Sequence, residues 1–273
     1  MSTQKMIPQV TSDLLHRYLL KAVLFLALRN RFTVKGTWRG ERIVCVSFDC
    51  DTGKDMERIP SLLDKLEDMS VPSSFALVGD LARSHPETVK EVARKRHEIV
   101  NHTFSHPESI HPLSSADLKK EIESFQDFMM NAFCVRPQGF RAPHLMRTYN
   151  RDLFDLLKES QLYDSSYVGR GVSIIDGSVE IPLTLCPDHS LVCFDYWHHF
   201  QLPFVKCSLG RFMSLWDDLL TKESFVNVYL DPHLVSDPFL EGVFKAVPDG
   251  FEFCRMADVA ARVRKHGDLV GNS

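Results

Sequence analysis

The sequence predicts an α/β fold, a barrel-like sheet of about seven parallel strands with helices outside. Three observations predict it. From Arg42 onward, short apolar runs alternate with stretches of helical spacing, with no block of strands followed by a block of helices. The first run, Ile43-Val44-Cys45-Val46-Ser47-Phe48, is too continuous to be half-exposed, as expected of a strand buried on both faces. No internal repeat, low-complexity stretch or long linker divides the 273 residues, so one large domain is expected over residues 42–273.

Taken in order, the next elements follow from apolar periodicity. Ile59 to Met69 has helical spacing, with leucines at 62, 63 and 66. Ser73 to Val78 is a second strand, Pro86 to Arg96 a helix, and Glu98 to Asn101 a third strand. Ser114 to Phe133 is a long helix in which Leu118, Ile122, Phe125 and Met129 share a face and Ser115 can cap the start. Gln138 to Arg141 is a brief strand and Asn150 to Ser160 a helix. Val179 to Leu185 and Leu191 to Phe194 are short and extended. Ser208 to Lys222 is helical, Phe225 to Leu230 is a strand, and Met256 to His266 closes the chain as a helix.

Residues 1–41 form an N-terminal extension whose Leu14 to Leu28 stretch predicts an amphipathic helix. Its unbroken apolar run, Ala22 to Leu28, is far short of the ~20 residues of a membrane span. Arg29, Asn30 and Arg31 follow directly, which argues against a signal-peptide cleavage site. Two readings stay open. The helix packs on the domain, or its basic flank (Arg17, Lys21, Arg29, Arg31, Lys35 and Arg39) docks it peripherally at the inner face of a membrane. A net charge of -4 argues against a nucleic-acid partner. The seven cysteines are dispersed and form no C-x-x-C pair, which argues against a cysteine zinc site and for free thiols in a reducing, cytoplasmic compartment.

Chemistry-bearing residues gather at the predicted strand ends, where barrels place their catalytic groups. The first strand runs into Asp49-Cys50-Asp51-Thr52-Gly53, and alternation sends both carboxylates the same way. The third runs into Asn101-His102-Thr103-Phe104-Ser105-His106. If the backbone turns helical there, two imidazoles four apart share a face and can grip one metal ion. The fourth ends at Arg141-Ala142-Pro143-His144, and the Phe225–Leu230 strand at Asp231-Pro232-His233. Asp195-Tyr196-Trp197-His198-His199 lies between them.

The set resembles the polysaccharide deacetylase family, the NodB-homology carbohydrate esterases of family four. The family's motifs occur in its order: Ser47-Phe48-Asp49-Cys50-Asp51, then His97-Glu98-Ile99-Val100-Asn101-His102-Thr103-Phe104-Ser105-His106-Pro107, then Arg141-Ala142-Pro143, then Asp195-Tyr196-Trp197, then a late histidine. The resemblance covers about Arg42 to His266. The Asp-x-Asp spacing and Tyr163-Asp164-Ser165-Ser166 are most similar to the branch holding certain peptidoglycan deacetylases and allantoinase-like enzymes. The resemblance implies a distorted (β/α) barrel. It implies a divalent metal, zinc foremost, on Asp51, His102 and His106, with Asp49 as general base and Arg141 as its partner. Trp197 would wall a sugar ring. The family's Leu-x-His motif is replaced by Leu230-Asp231-Pro232-His233, so either His233 is the acid or Asp231 stands in its place. The expectation adopted is His233, because imidazole donates protons near neutrality. Asp195 would orient it, with His198 or His199 in reserve.

The function implied is hydrolysis of an N-acyl group, acetyl foremost, from an amino sugar in a glycan or glycan precursor. Two alternatives remain: hydrolysis of a small non-sugar amide, as in the allantoinase-like branch, or a non-catalytic glycan-binding protein that keeps the fold.

Overall fold

The computed structural model describes residues 30–189, 192–202 and 205–270. The helix expected at Leu14–Leu28 lies outside the described residues. Among the described residues no helix is long and apolar enough to cross a membrane.

The chain starts with β1 (Thr33–Lys35), followed by β2 (Arg42–Cys50), α1 (Gly53–Asp68), β3 (Ser74–Leu77), α2 (Gly79–Ser84), α3 (Pro86–Arg94), β4 (Glu98–Asn101) and α4 (Ser115–Phe133). Short strands then dominate: β5 (Gly139–Phe140), α5 (Arg151–Glu159), β6 (Tyr163–Asp164), β7 (Val168–Arg170), β8 (Ser173–Ile175), β9 (Ser178–Glu180) and β10 (Leu183–Thr184). The last part holds α6 (Tyr196–Phe200), α7 (Leu209–Lys222), β11 (Phe225–Leu230), α8 (Asp237–Lys245), β12 (Phe251–Cys254) and α9 (Met256–Lys265).

The main sheet has the order β11-β2-β3-β4-β5-β6-β9-β8, and every neighbouring pair is parallel except the β8–β9 hairpin. Seven parallel strands run from β11 to β9, the expected number, but β6 takes a place for which the sequence predicted no strand, and the described residues of Leu191 to Phe194 give only an isolated bridge from Cys193 to Leu185. β12 adds a parallel pairing along the first half of β2, at Arg42 to Cys45, while β3 takes the second half, Ser47 to Cys50. A second sheet, β1-β7-β10, spans the interval between β11 and β6. There Asn227 N–H donates to Thr184 Oγ1 at 2.8 Å, and Asp195 pairs with Tyr229. Residues 33–41, expected in the extension, join this body: Thr33–Lys35 pair with Val168–Arg170, and Trp38 is buried against Phe225.

Alternation along β2 explains the two cores. Val44, Val46, Phe48 and Cys50 pack outward against Met56, Ile59, Leu62, Leu63 and Leu66 of α1. Ile43 and Cys45 point inward with Ala76, Val100 and Tyr163, and Met256, Val259 and Val263 of α9 plug that end. Each such buried side chain is worth about 1.5–3 kcal/mol. The inward face continues through Ser47 and Asp49 to Asp51, so the same period that buries Ile43 delivers the two carboxylates to the carboxyl end.

Helix starts agree with local chemistry. Thr52 caps α1 in a reciprocal box with Asp55, and Asn150 caps α5. The cap of α4 is Ser114, one residue earlier than expected, because its hydroxyl reaches Asp117 N–H.

His97, just before β4, accepts Ser73 N–H at Nδ1 (3.2 Å) and meets the edge of Phe75. Burial, with Lys95 and Arg255 nearby, pushes its pKa down to about 4. The ring is therefore neutral in the folded chain at pH values where the unfolded chain already takes a proton. Stability is full above about 6.5 and falls as pH drops from there toward 4. Urea midpoints followed by circular dichroism across that window are expected to fall less steeply in His97→Gln than in the wild type. Parallel losses would show that the ring is not held neutral.

Candidate active site

Asp49 is the last inward position of β2 and pairs in register with Ala76. Arg141, just past β5, is fully buried and donates from Nη1 to Asp49 Oδ1 at 2.6 Å. The rest of the guanidinium is also engaged. Nε–H donates to Ser165 O at 3.2 Å and Nη2–H to Ser165 Oγ at 3.0 Å. Burial works against the arginine charge, and the Asp49 carboxylate more than offsets it, so its pKa is raised. Arg141 is thus a fixed cation that orients Asp49.

The histidine pair is built differently from expectation. Past Asn101 the backbone is not helical. Thr103 and His106 take left-handed conformations, with φ 65° and 56°. Side chains stabilise this turn. Asn101 Oδ1 accepts Thr103 N–H, Thr103 Oγ1 accepts His106 N–H, and the Glu121 carboxylate accepts Phe104 N–H and Ser105 N–H at 2.9 Å each. Strained non-glycine backbone held by several partners is typical of functional turns. The two rings still meet, with centroids 5.2 Å apart.

His102 Nδ1 lies 2.7 Å from Arg141 O, so this nitrogen carries the proton and Nε2 the lone pair. Asp51 Oδ1 is 3.1 Å from His102 Nε2 and 3.3 Å from His106 Nε2. None of these three buried atoms makes a hydrogen bond of proper geometry. Three lone-pair atoms converging without donors fit a divalent cation, with the O,N,N set of an open zinc-type site. Burial alone would raise the Asp51 pKa, but the two imidazoles hold it well below the usual carboxylate range.

These groups open into a cleft of ≈ 540 Å³ lined by Asp49, Asp51, His144, Trp197, His198 and Asp231, among others. Trp197, on α6, is 42% exposed, so its ring is a wall and not core. Asp195 caps α6, taking His198 N–H on Oδ1 at 2.7 Å and His198 Nδ1 on Oδ2 at 2.5 Å. His198 Nε2 is left for the cleft. Asp231 has its pKa pushed up to about 8 by burial and by Asp49, Asp195 and Asp51, and a nearby dication would pull it back down.

Asp49, Asp51, His102, His106, Arg141 and Trp197 are therefore brought together. His233 is placed apart from them. Its ring Nδ1 and its backbone N–H both engage Asp55 Oδ1, at 2.6 and 3.2 Å, and it is not among the residues lining the cleft. Asp231 faces the cleft in its stead. The Pro232 step turns the chain away after Asp231, and the buried Asp55 carboxylate captures the imidazole. His144 at the rim, its ring centroid 5.1 Å from that of His106, went unassigned in the sequence because the motif signal ends at Pro143. Arg31, read in the sequence only as part of the basic flank, and Arg147, which no sequence signal singled out, also line the cleft.

Residues 37–163 match the polysaccharide deacetylase family. A peptidoglycan-N-acetylglucosamine deacetylase of Bacillus cereus is 31% identical over 99 residues, 36% of each chain. A chitooligosaccharide deacetylase of a Bradyrhizobium species is 30% identical over 123 residues, 44% of this chain and 52% of that one. The chain spans about a third to a half of the length of these curated relatives. The fold matches the crystal structure of a Mycobacterium smegmatis protein assigned to the polysaccharide deacetylases, with a TM-score of 0.68, 18% identity, and 87% of this chain and 96% of that one covered. Over residues 37–163, just under half of its length, the chain is thus similar to the polysaccharide deacetylases.

Removing Arg141 leaves Asp49 as an uncompensated buried charge. Arg141→Met is expected to cost about 3–5 kcal/mol in chemical denaturation, and Asp49→Asn on the same background to restore much of it. Additive losses in that double-mutant cycle would contradict the pairing.

Proposed function

We propose that this chain hydrolyses an N-acyl group, acetyl foremost, from an amino sugar of a glycan or glycan precursor, using a divalent metal. The observation that carries this reading is the convergence of Asp51 Oδ1, His102 Nε2 and His106 Nε2 beside the Asp49–Arg141 pair at three neighbouring strand ends. The ion, zinc by its donor set, would be held by Asp51, His102 and His106 and would supply a Lewis acid for the acyl carbonyl. Asp49 takes the proton from the attacking water, with Arg141 fixing Oδ1 so that the carboxylate keeps its aim. The C–N bond then breaks, and the leaving nitrogen needs a proton. His198 is the group best placed to donate it. Its Nδ1 is held by the buried Asp195, which fixes the tautomer and supports the imidazolium, and it lines the same cleft as Asp49. Trp197 next to it offers an apolar face to a sugar ring.

Arg31 and Arg147 favour a substrate with an anionic group, such as a phosphate-linked or carboxylated sugar. The free cysteines among the described residues suit a reducing compartment, where such precursors are made. We further propose that the Leu14 to Leu28 stretch, expected from its sequence to be an amphipathic helix, makes peripheral membrane contact in preference to packing on the domain. Deleting residues 1–29 is expected to lower vesicle co-sedimentation and leave turnover of a short soluble substrate intact. Unchanged co-sedimentation removes that role.

Asp231 in the strand-end position favours one competing reading, a glycan-binding protein that keeps the fold without turnover. Mass spectrometry of N-acetylated chitooligosaccharides incubated with the purified protein and zinc separates the two. Loss of acetyl groups is expected, falling about 10²–10⁴-fold in Asp49→Asn with metal content retained. His198→Gln is expected to lower kcat by about 10²-fold or more, and His233→Gln to leave it nearly unchanged. The reverse order would return the acid role to His233. Metal loss in His102→Ala without loss of fold completes the test.

A further inference from the structure

We propose a second metal site, formed by Cys186, His189 and His199 and suited to a borderline-soft ion such as zinc. It stands apart from the Asp51 cluster and does not depend on the proposed activity.

The geometry comes first. Cys186 Sγ lies 3.2 Å from His199 Nε2 and 3.6 Å from His189 Nδ1, and the three ligand atoms all lie within 4.8 Å of one another. Tetrahedral zinc with ordinary Zn–S and Zn–N bonds has S···N edges of about 3.5 Å, between these two distances. The tautomer agrees. His199 Nδ1 sits 2.8 Å from Asp195 O, so it donates there, and the lone pair of Nε2 faces the sulfur. The turn Cys186-Pro187-Asp188-His189 aims the backbone N–H groups of Asp188 and His189 at the sulfur, and they offset only part of the burial that pushes the thiol up to about 11. Cys186 and His199 are fully buried, with Phe194 and Phe212 against the His199 ring, while His189 is half-buried.

The neighbouring Cys193–Asp195–His198 group is different. There two carboxylate oxygens already take three donors: His198 N–H on Oδ1, and His198 Nδ1–H and the Cys193 thiol on Oδ2, at 2.7, 2.5 and 3.0 Å. That is a saturated hydrogen-bond cluster. At Cys186 two imidazole nitrogens face one sulfur instead, and an ion would replace the thiol proton, which leaves to solvent. The ion would tie the loop after β10 to α6, the helix that carries Trp197 and His198 into the cleft. Its role is structural: it holds one wall of the cleft in place.

Cobalt(II) substitution of the full chain, purified under reducing conditions, tests this. Only a cysteine ligand produces a thiolate-to-cobalt charge-transfer band in the near ultraviolet, and the Asp51 cluster has none. The wild type is expected to bind about two ions per chain and to show the band, which zinc bleaches. Asp51→Ala should lose one ion and keep the band. Cys186→Ser and His189→Asn should lose the band and keep the other ion, while Cys193→Ser keeps the band. A wild type without the band overturns the proposal and leaves a thiol hydrogen-bonded between two imidazoles. A band lost in Cys193→Ser but kept in Cys186→Ser overturns it too.

Discussion

One buried guanidinium holds together the end of this molecule where the proposed chemistry collects. Arg141 has no exposure to water, and a cation there is tolerable only if its donors are met by oxygens fixed in place. They are. Asp49 comes from β2, Ser165 follows β6, and the Arg141 backbone bonds Asn101 O on one side and His102 Nδ1 on the other. The same residue therefore aims the proposed base and sets the tautomer of a proposed metal ligand. Its placement depends on the parallel register of β2, β4, β5 and β6 and on little else. The ion pair is better understood as a device for geometry than as a source of stability, since burying two charges returns little net free energy.

Around this anchor the strained turn at Thr103 and His106 becomes intelligible. Left-handed backbone at two non-glycine residues costs free energy, and Asn101, Thr103 and Glu121 offset it with at least four hydrogen bonds to the turn's amides. The result is a pair of imidazoles with ring centroids 5.2 Å apart, both beside Asp51. On the far side of the cleft, α6 is only five residues long, yet Asp195 takes both the backbone amide and the ring of His198. A short helix with so few internal bonds benefits from an external tie, and the Cys186–His199 contact is in the right place to be one.

Legibility in the sequence followed periodicity. Ile43 to Asp51 could be understood residue by residue, because a strand of period two leaves no choice of face. The pairing of His102 with His106 was legible from spacing, although the helix assumed to produce it does not form. Trp197 could not be told from a core tryptophan until its exposure was known. His233 and Asp231 could not be separated, because a proline two residues past the strand breaks the periodicity on which such placement rests. Cys186 and His199 lie thirteen positions apart across an irregular loop, and no spacing rule reaches that far.

The sequence by itself determined the α/β alternation and the strand ends at which chemistry-bearing residues collect, since these rest on local patterns; the Asp49, Asp51, His102, His106 and Arg141 set came from its resemblance to a known family. Tertiary structure alone decided which imidazole faces the cleft. Asp55, on the first turn of α1, takes the ring of His233, and Asp195 presents His198 in its place. That choice is made by carboxylates more than 170 residues away in one case and three in the other, and only folding compares the two.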